Sequence, residues 1–304
     1  MTTAGSTPAS PADVNGVRIH WDAFGDPADP ALLLIMGLAT QMIAWDEQFC
    51  AMLAARGFRV IRFDNRDVGL SSRLDALGLP DVGAMFQKAL AGQPVTAPYT
   101  LRDMALDVIG LMDALGIERA HVVGASMGGA IGQELAIHHA ARVRSLTSIM
   151  STSGKPGLPM GRPDAVALLF TPAPIDRDGY CARQVQVARL LRGPGFPEDE
   201  ARDAARAARS FERGPSPAGA VRQLAATLAS GDRTSGLRQV AVPTLVIHGD
   251  ADPLLPHAHG VDVANAVANA SLLTVPGMGH SLPISAWPGI VDAIARHASA
   301  AVAR

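Results

Sequence analysis

The chain has 304 residues, of which 48% are hydrophobic, and a formal net charge of −2 at pH 7. This length and apolar content suffice for one large buried core with an insertion, or for two closely packed parts. The near-neutral charge and the scattered basic residues argue against a nucleic-acid or anionic-membrane partner. Two cysteines, Cys50 and Cys181, are too few for the framework of a disulfide-rich protein of this size.

Residues 1–13 consist mainly of Thr, Ala, Ser and Pro, without a basic start or an apolar core segment. We therefore expect a flexible N-terminal tail rather than a signal peptide. No apolar run reaches the length needed to span a membrane, so the sequence predicts a cytoplasmic protein without a membrane partner. A monomer and a homodimer are both compatible with the composition.

Segments typical of strands and of helices alternate through most of the chain. Strands are predicted over residues 14–23, 31–36, 58–63, 121–123, 143–150, 244–248 and 271–275, and helices from Trp45 to near Gly57 and over residues 101–115, 130–138 and 287–301. Such alternation predicts an α/β fold whose mostly parallel sheet is covered by helices on both faces. Its core would comprise residues 14–154 and 239–304.

Residues 155–238 break this alternation, because prolines and glycines separate short helical patterns and no convincing strand occurs there. A helical insertion between two strands of a parallel sheet predicts a cap, or lid, over the carboxyl ends of the strands. Four arginines in the cap recur at helical spacing and predict a solvated helix face: Arg202, Arg206, Arg209 and Arg213.

The most informative segment is residues 122–129, where an apolar strand pattern runs into Gly-x-Ser-x-Gly and then into a helical pattern. On such a strand-to-helix turn Ser126 stands clear of the sheet, beside the N–H groups of the helix start. Gly124 and Gly128 are needed because the turn is strained and its backbone passes close to its neighbours. A helix start with a capping serine is the alternative interpretation.

A serine nucleophile needs a base within hydrogen-bonding reach and a group that orients the base. Asp250 and Asp252 directly follow one predicted strand and His280 follows the next, which gives the chain order serine, acid, histidine. His280 would take the proton from Ser126, and the acid would orient the imidazole. We favour Asp252 because it lies deeper in its loop, and Asp250 remains the alternative.

Acyl transfer also needs hydrogen-bond donors where the carbonyl oxygen becomes negative. The N–H of Met127 is one candidate. The second is expected from the loop of residues 36–40, with the N–H of Leu38 as our choice. A plain turn at the end of a strand is the alternative explanation for Gly37.

Three further segments, residues 24–30, 62–71 and 276–280, resemble the aclacinomycin methylesterase-like and bacterial carboxylesterase branch of the α/β-hydrolase superfamily. The resemblance implies an eight-stranded sheet, a helical cap between strands six and seven, and ester hydrolysis without a cofactor or metal. By motif it implies Ser126 as nucleophile, Asp252 as acid and His280 as base.

Two details of the resemblance affect the interpretation. Many relatives begin the oxyanion loop with His-Gly, whereas this chain has Met36-Gly37, so the substrate class of those relatives cannot be transferred. We expect a structural role for residues 64–71, with Arg66 and Asp67 hydrogen-bonding locally and Gly69 making a turn.

The sequence thus predicts a serine carboxylic-ester hydrolase that forms an acyl-enzyme from a small to medium, largely apolar ester and then uses water. Serine at position 126 argues against the dehalogenases and epoxide hydrolases of this superfamily, which place aspartate there. The alternatives are a carbon–carbon bond hydrolase, a thioesterase and a ligand-binding, receptor-like relative. Expected substrate contacts from the cap are Phe170, Leu190, Leu191 and Phe211.

Overall fold

A computed structural model describes residues 6–302, which are built around one eight-stranded sheet. In chain order the strands are β1 (Ser6–Val14), β2 (Val17–Phe24), β3 (Ala31–Ile35), β4 (Arg59–Phe63), β5 (Ala120–Ala125), β6 (Val143–Ile149), β7 (Thr244–Gly249) and β8 (Ala270–Val275). Their spatial order is β1-β2-β4-β3-β5-β6-β7-β8. The pairs β1–β2 and β2–β4 are antiparallel and the other pairs are parallel, which confirms the predicted fold class.

Helices cover both faces of this sheet. They are α1 (Glu47–Ala54), α2 (Val82–Leu90), α3 (Leu101–Ala114), α4 (Met127–His138), α5 (Pro163–Phe170), α6 (Arg177–Leu191), α7 (Glu200–Glu212), α8 (Pro217–Ser230), α9 (Thr234–Leu237), α10 (Ala258–Ala266) and α11 (Trp287–Val302). The sequence patterns did not predict α2, α9 or α10. Within residues 6–302 no helix is both long and apolar enough to cross a membrane.

The expected flexible tail is wrong for residues 6–13, which belong to edge strand β1 and pair antiparallel with β2. A two-residue turn joins the strands, and both of its residues have positive φ, 47° at Asn15 and 75° at Gly16. Asn-Gly favours this hairpin turn, so the sequence held a local indication of β1 that the composition of the segment obscured. Residues 1–5 of the predicted tail lie outside the described residues.

Strand β3 shows how the core is divided, because all five of its residues are buried. The side chains of Leu33 and Ile35 belong to an apolar cluster that includes residues of α3 and α4. Those of Leu32 and Leu34 belong to a second cluster, on the other face, that includes residues of α1 and α11. A strand buried on both faces explains the unbroken apolar run in the sequence.

Helices α5 to α9 follow β6 and precede β7, and they account for all regular structure that the described chain has between these strands. The arginines of α7 remain partly exposed. However, Arg202 pairs with Asp46 at 2.6 Å, Arg209 pairs with Glu47 at 2.5 Å, and Arg213 pairs with Asp64. Three of the four arginines of the predicted solvated face therefore contact the core, whereas Arg206 pairs with Asp203 of α7 at 3.1 Å. The spacing within one helix cannot show the core contacts, because these partners lie about 150 residues earlier in the chain.

Candidate active site

Ser126 occupies a strained turn between β5 and α4, with φ 56° and ψ −119°. A positive φ is uncommon for a residue with a side chain and persists only where its surroundings fix it. Here the Ser126 N–H donates to the Ile149 carbonyl at 2.9 Å, and the Ser126 carbonyl accepts from the Ser151 hydroxyl at 2.8 Å. The Ser126 side chain caps no helix N–H, so the alternative of a simple capping serine is not supported.

The two glycines of the motif are required by close backbone contacts. A Cβ at Gly124 would lie 2.1 Å from the Gly128 carbonyl oxygen, and a Cβ at Gly128 would lie 2.1 Å from the Ile35 carbonyl oxygen. Real Cβ atoms do not approach backbone this closely. The first turn of α4 is therefore pressed onto the end of β3, and this contact places Ser126 beside the loop that follows β3.

The structure brings Ser126, His280 and Asp252 into one hydrogen-bonded row. His280 Nε2 lies 2.9 Å from the Ser126 hydroxyl oxygen, and His280 Nδ1 lies 2.7 Å from Oδ2 of Asp252. With its proton on Nδ1, the imidazole donates to the carboxylate and accepts from the serine hydroxyl. This geometry allows the imidazole to remove a proton from the serine.

The Asp252 carboxylate is buried and well supplied with donors. Its Oδ1 accepts from the N–H groups of Leu254 at 2.8 Å and Leu255 at 2.9 Å. His248 Nε2 lies 3.4 Å from Oδ2 and donates to the Leu255 carbonyl at 2.8 Å. Burial alone would raise the pKa of Asp252, but the charge of His280 and hydrogen bonds from His248, His280 and Leu255 hold it well below its usual range. The carboxylate is therefore anionic at neutral pH.

Asp250, the alternative acid, has a different partner. Its Oδ1 accepts from the Gly277 N–H at 2.6 Å, in the loop that leads to His280. Of the two candidates, the structure places Asp252 against the imidazole and Asp250 against the backbone of the neighbouring loop.

The two backbone donors expected to bind an oxyanion flank Ser126. A Cβ at Gly37 would lie 3.1 Å from the Ser126 Cβ, so the loop after β3 lies directly against the serine. Met127 is the first residue of α4. Across the described chain, no protein acceptor is found for the N–H of Leu38 or of Met127.

Backbone hydrogen bonds join the turn after α6 to the loop of His280, a contact that the sequence did not predict. The turn after α6 places the Arg192 carbonyl where it accepts from the Gly279 N–H at 2.8 Å, and the Gly195 N–H donates to the Gly277 carbonyl at 3.0 Å. A Cβ at Gly193 would lie 2.3 Å from the Gly279 nitrogen. Glycines in both segments permit this backbone-to-backbone contact, and their clustering is the one sequence feature that could have indicated it.

Residues 64–71 join distant parts of the chain instead of bonding only locally as expected. Arg66 forms two hydrogen bonds of 2.6 Å with Asp107 of α3. Asp67 accepts from both Nε and Nη2 of Arg222 on α8, at 2.9 and 2.7 Å. Gly69 makes the predicted turn with φ 59°. The partners lie 41 and 155 residues away, so no local pattern could identify them.

Four apolar side chains were expected to line the pocket, and they lie in different parts of the cap. Phe170 lines an open apolar groove of about 620 Å³ between α2 and α5, with its ring 5.1 Å from that of Phe86. Phe211 packs against Tyr180 at 5.6 Å between ring centroids. Leu190 and Leu191 are half-buried at the end of α6, beside the turn that braces the His280 loop.

Metal binding has no evident site in the described residues, which contain no cluster of three or more His, Cys, Asp or Glu side chains suited to it.

Comparison with known proteins identifies the family. The model of the alpha/beta hydrolase fold matches residues 30–286, so the chain belongs to that family. The chain is 31% identical to the rhodomycin D methylesterase DnrP of Streptomyces peucetius, over 94% of this chain and 96% of that protein. It is 28% identical to 3-oxoadipate enol-lactonase 2 of Acinetobacter baylyi, over 84% of each chain.

A solved structure shows that the fold is similar as well. The enol-lactonase of Burkholderia xenovorans LB400 superposes with a TM-score of 0.71 at 25% identity, covering 97% of this chain and 100% of the other.

Proposed function

We propose that this member of the α/β-hydrolase fold family is an esterase-type hydrolase that cleaves carboxylic esters through an acyl-enzyme on Ser126. The observation that carries the proposal is the row from the Ser126 hydroxyl to His280, at 2.9 Å, and on to Asp252, at 2.7 Å. The relatives named as a methylesterase and an enol-lactonase support hydrolysis of an ester bond.

In the proposed mechanism, His280 takes the hydroxyl proton as the Ser126 oxygen attacks the ester carbonyl. The anionic Asp252 orients the imidazole and stabilises the imidazolium that forms. The N–H groups of Leu38 and Met127 bind the oxyanion, and each such donor contributes about 2.7–4 kcal/mol to catalysis. His280 then gives its proton to the leaving alcohol, and water, activated by the same imidazole, hydrolyses the acyl-serine.

For the substrate we propose a small to medium, largely apolar ester. The cap supplies apolar side chains for such a substrate, among them Phe170, Met160 and Val166, which line the open groove between α2 and α5 together with Phe86 of α2. Gly161, which also lines the groove, packs against the backbone of Leu254, next to the loop of the acid. A cytoplasmic location and a monomeric or homodimeric state stay predictions.

The test is turnover of p-nitrophenyl acetate and its longer-chain homologues. Ser126→Ala should lower kcat by at least about 10³-fold without changing the fold. Ser72→Ala is the matched control and should keep full activity, since within the described chain the Ser72 hydroxyl only accepts from the Arg18 N–H of β2. Retained turnover by Ser126→Ala would refute the acyl-serine. A wild type that is inactive on oxygen esters but cleaves thioesters or vinylogous diketones would support an alternative activity.

A further inference from the structure

Gln223 belongs to cap helix α8, yet its side chain contacts the loop that follows β3. The residue is fully buried, with 0% exposure. Its Oε1 accepts from the Ala39 N–H at 2.8 Å, and its Nε2 donates to the Arg66 carbonyl at 2.7 Å. The amide therefore ties one backbone donor and one backbone acceptor of the core together, across 184 residues of sequence in the first case.

Ala39 directly follows Leu38, whose N–H is the proposed oxyanion donor. Ala39 has φ 55°, a left-handed conformation that costs free energy for a residue with a side chain. A turn in which the Thr40 N–H donates to the Gly37 carbonyl at 3.3 Å contributes to holding it. The hydrogen bond to Gln223 is the contact that fixes the Ala39 N–H from outside the loop.

Ion pairs fix both the core segment that Gln223 contacts and the part of α8 that carries Gln223. Arg66 is held by its two hydrogen bonds to Asp107 of α3. The residue before Gln223, Arg222, is buried and forms a bidentate ion pair with Asp67. Helix α8 therefore cannot shift relative to residues 66–67 without breaking a buried ion pair, which is costly.

We propose that Gln223 is a positioning residue for the oxyanion loop. By fixing the Ala39 N–H it sets the peptide plane between Leu38 and Ala39, and through Leu38 the direction in which the neighbouring N–H points. Oxyanion donors stabilise a transition state only when held near their productive geometry, and a displacement of about 1 Å costs about 10²-fold in rate. This inference rests on the proposed function, in which the Leu38 N–H of the same loop donates to the oxyanion.

The first test compares two buried glutamines. Gln223→Met keeps the length of the side chain and removes both hydrogen bonds, so kcat on a p-nitrophenyl ester should fall by about 10- to 100-fold. KM should stay within about twofold, because the lost interaction acts in the transition state. Gln133→Met is the control: Gln133 is also fully buried, but its amide bonds to Arg233 and Ser148, away from the loop. It should lower stability without lowering kcat.

A second readout separates positioning from general loss of structure. A trifluoromethyl ketone forms a tetrahedral adduct whose oxyanion requires the same donors. Its inhibition constant should rise about 10- to 100-fold in Gln223→Met and stay unchanged in Gln133→Met. Unchanged kcat and inhibition in a folded Gln223→Met would overturn the inference. Absence of turnover and of inhibition in the wild type would instead overturn the proposed function.

A third variant, Gln223→Glu, preserves the shape of the side chain and changes only its hydrogen-bonding groups. An ionised carboxylate can accept from the Ala39 N–H but cannot donate to the Arg66 carbonyl, whereas the protonated acid can do both. In both forms the variant keeps the contact with Ala39, so its kcat should exceed that of Gln223→Met. A kcat as low as that of a folded Gln223→Met would contradict positioning through the Ala39 N–H.

Discussion

The Asp252 side chain shows how a loop residue becomes a fixed part of the site. Its burial would favour the neutral acid, but two backbone N–H groups and two histidines surround the carboxylate and lower its pKa. Asp250, two residues earlier, binds only a backbone N–H of the next loop in the described chain. The two carboxylates lie two residues apart in the sequence and have different partners, so variants of the two can be compared directly.

Asp252→Asn should lower kcat by about 10³- to 10⁴-fold, because an amide can hold the imidazole in the wrong tautomer and cannot stabilise the imidazolium. Asp250→Asn retains an oxygen acceptor for the Gly277 N–H and should keep kcat within about threefold of the wild type. Steady-state kinetics of both variants on one ester provide the comparison. The opposite ranking would assign the role of the acid to Asp250.

Individual site residues could be predicted from the sequence where their role depends on the local backbone. Ser126 was evident from Gly-x-Ser-x-Gly, and His280 and Asp252 from their positions directly after strands. Gln223 was not evident, because a glutamine in a helical pattern has no local feature that distinguishes it from a surface residue. Its partners, Ala39 and Arg66, are far away in the chain.

Among the elements, the turn between α6 and α7 has the most direct effect on the base. Gly193 has φ 87°, and a Cβ there would meet the Gly279 nitrogen at 2.3 Å. The residue that follows Gly279 is His280, so displacement of this contact moves the imidazole. The turn after α6 therefore contacts the loop that carries the proposed base.

Gly193→Ala should reduce kcat by at least about tenfold, since it forces the His280 loop away from its position. The control is Gly157→Ala: Gly157 has a similar φ, 84°, but open space around its would-be Cβ. Both variants carry the cost of a left-handed alanine, about 1–2 kcal/mol. Gly193→Ala adds the contact with the His280 loop, so thermal melts and assays should show the larger loss of stability and the larger loss of kcat in this variant. Equal kcat in the two variants would show that the turn does not position the base.

Two arginines at the end of α7, Arg209 and Arg213, pair with carboxylates of the core. Arg213 pairs with Asp64, a fully buried carboxylate that also accepts from the N–H groups of Met42 and Leu70. Arg213→Gln removes a charge beside a buried anion and should lower the free energy of unfolding by about 2–3 kcal/mol. Arg209→Gln removes a half-exposed pair with Glu47, which should cost less than about 1 kcal/mol. Urea denaturation of both variants measures the difference, and equal losses would contradict this interpretation.

The elements themselves were largely predictable, because apolar runs and periodicity mark strands and helices within one segment. The β1 hairpin was missed although Asn15-Gly16 favours its turn, since Pro and Ser dominate the strand that precedes it. The role of the α7 arginines was missed for a different reason. Helical spacing shows that they share a face, but only the tertiary structure shows that Asp46, Glu47 and Asp64 lie opposite that face.

For the molecule as a whole, the cap is tied to the core on both sides of Ser126. On one side, Gln223 holds the loop after β3. On the other, the Arg192 carbonyl holds the loop of His280. Because residues 155–238 contact both loops, we expect substitutions at these two contacts to alter turnover.

Acid should destabilise the fold through histidines that are buried in their neutral form. Burial, with the nearby charges of Arg144, His297 and Arg119, lowers the pKa of His121 to about 4 from 6.5. Between these two values the unfolded chain binds a proton that the folded chain does not, so stability is lost as the pH falls below about 6.5. The full effect is about 3 kcal/mol for His121.

His121→Asn removes this titration while leaving an amide that can bond to Ser145, the present partner of the imidazole at 2.8 Å. Its loss of unfolding free energy between pH 7 and pH 5 should be about 2 kcal/mol smaller than that of the wild type. Urea denaturation at the two pH values measures both losses. Identical losses would show that His121 does not contribute to the acid sensitivity.

In the proposed mechanism, His280 and Asp252 make the Ser126 hydroxyl nucleophilic near neutral pH. Reaction with a fluorophosphonate, followed by peptide mass mapping at pH 7, tests it most directly, because the reagent needs an activated serine and no knowledge of the substrate. We expect one phosphonylated site, Ser126, with labelling lost in Ser126→Ala and slowed by at least about 10²-fold in His280→Gln. An unlabelled Ser126 in the folded protein, or labelling that is equally fast without His280, would contradict it.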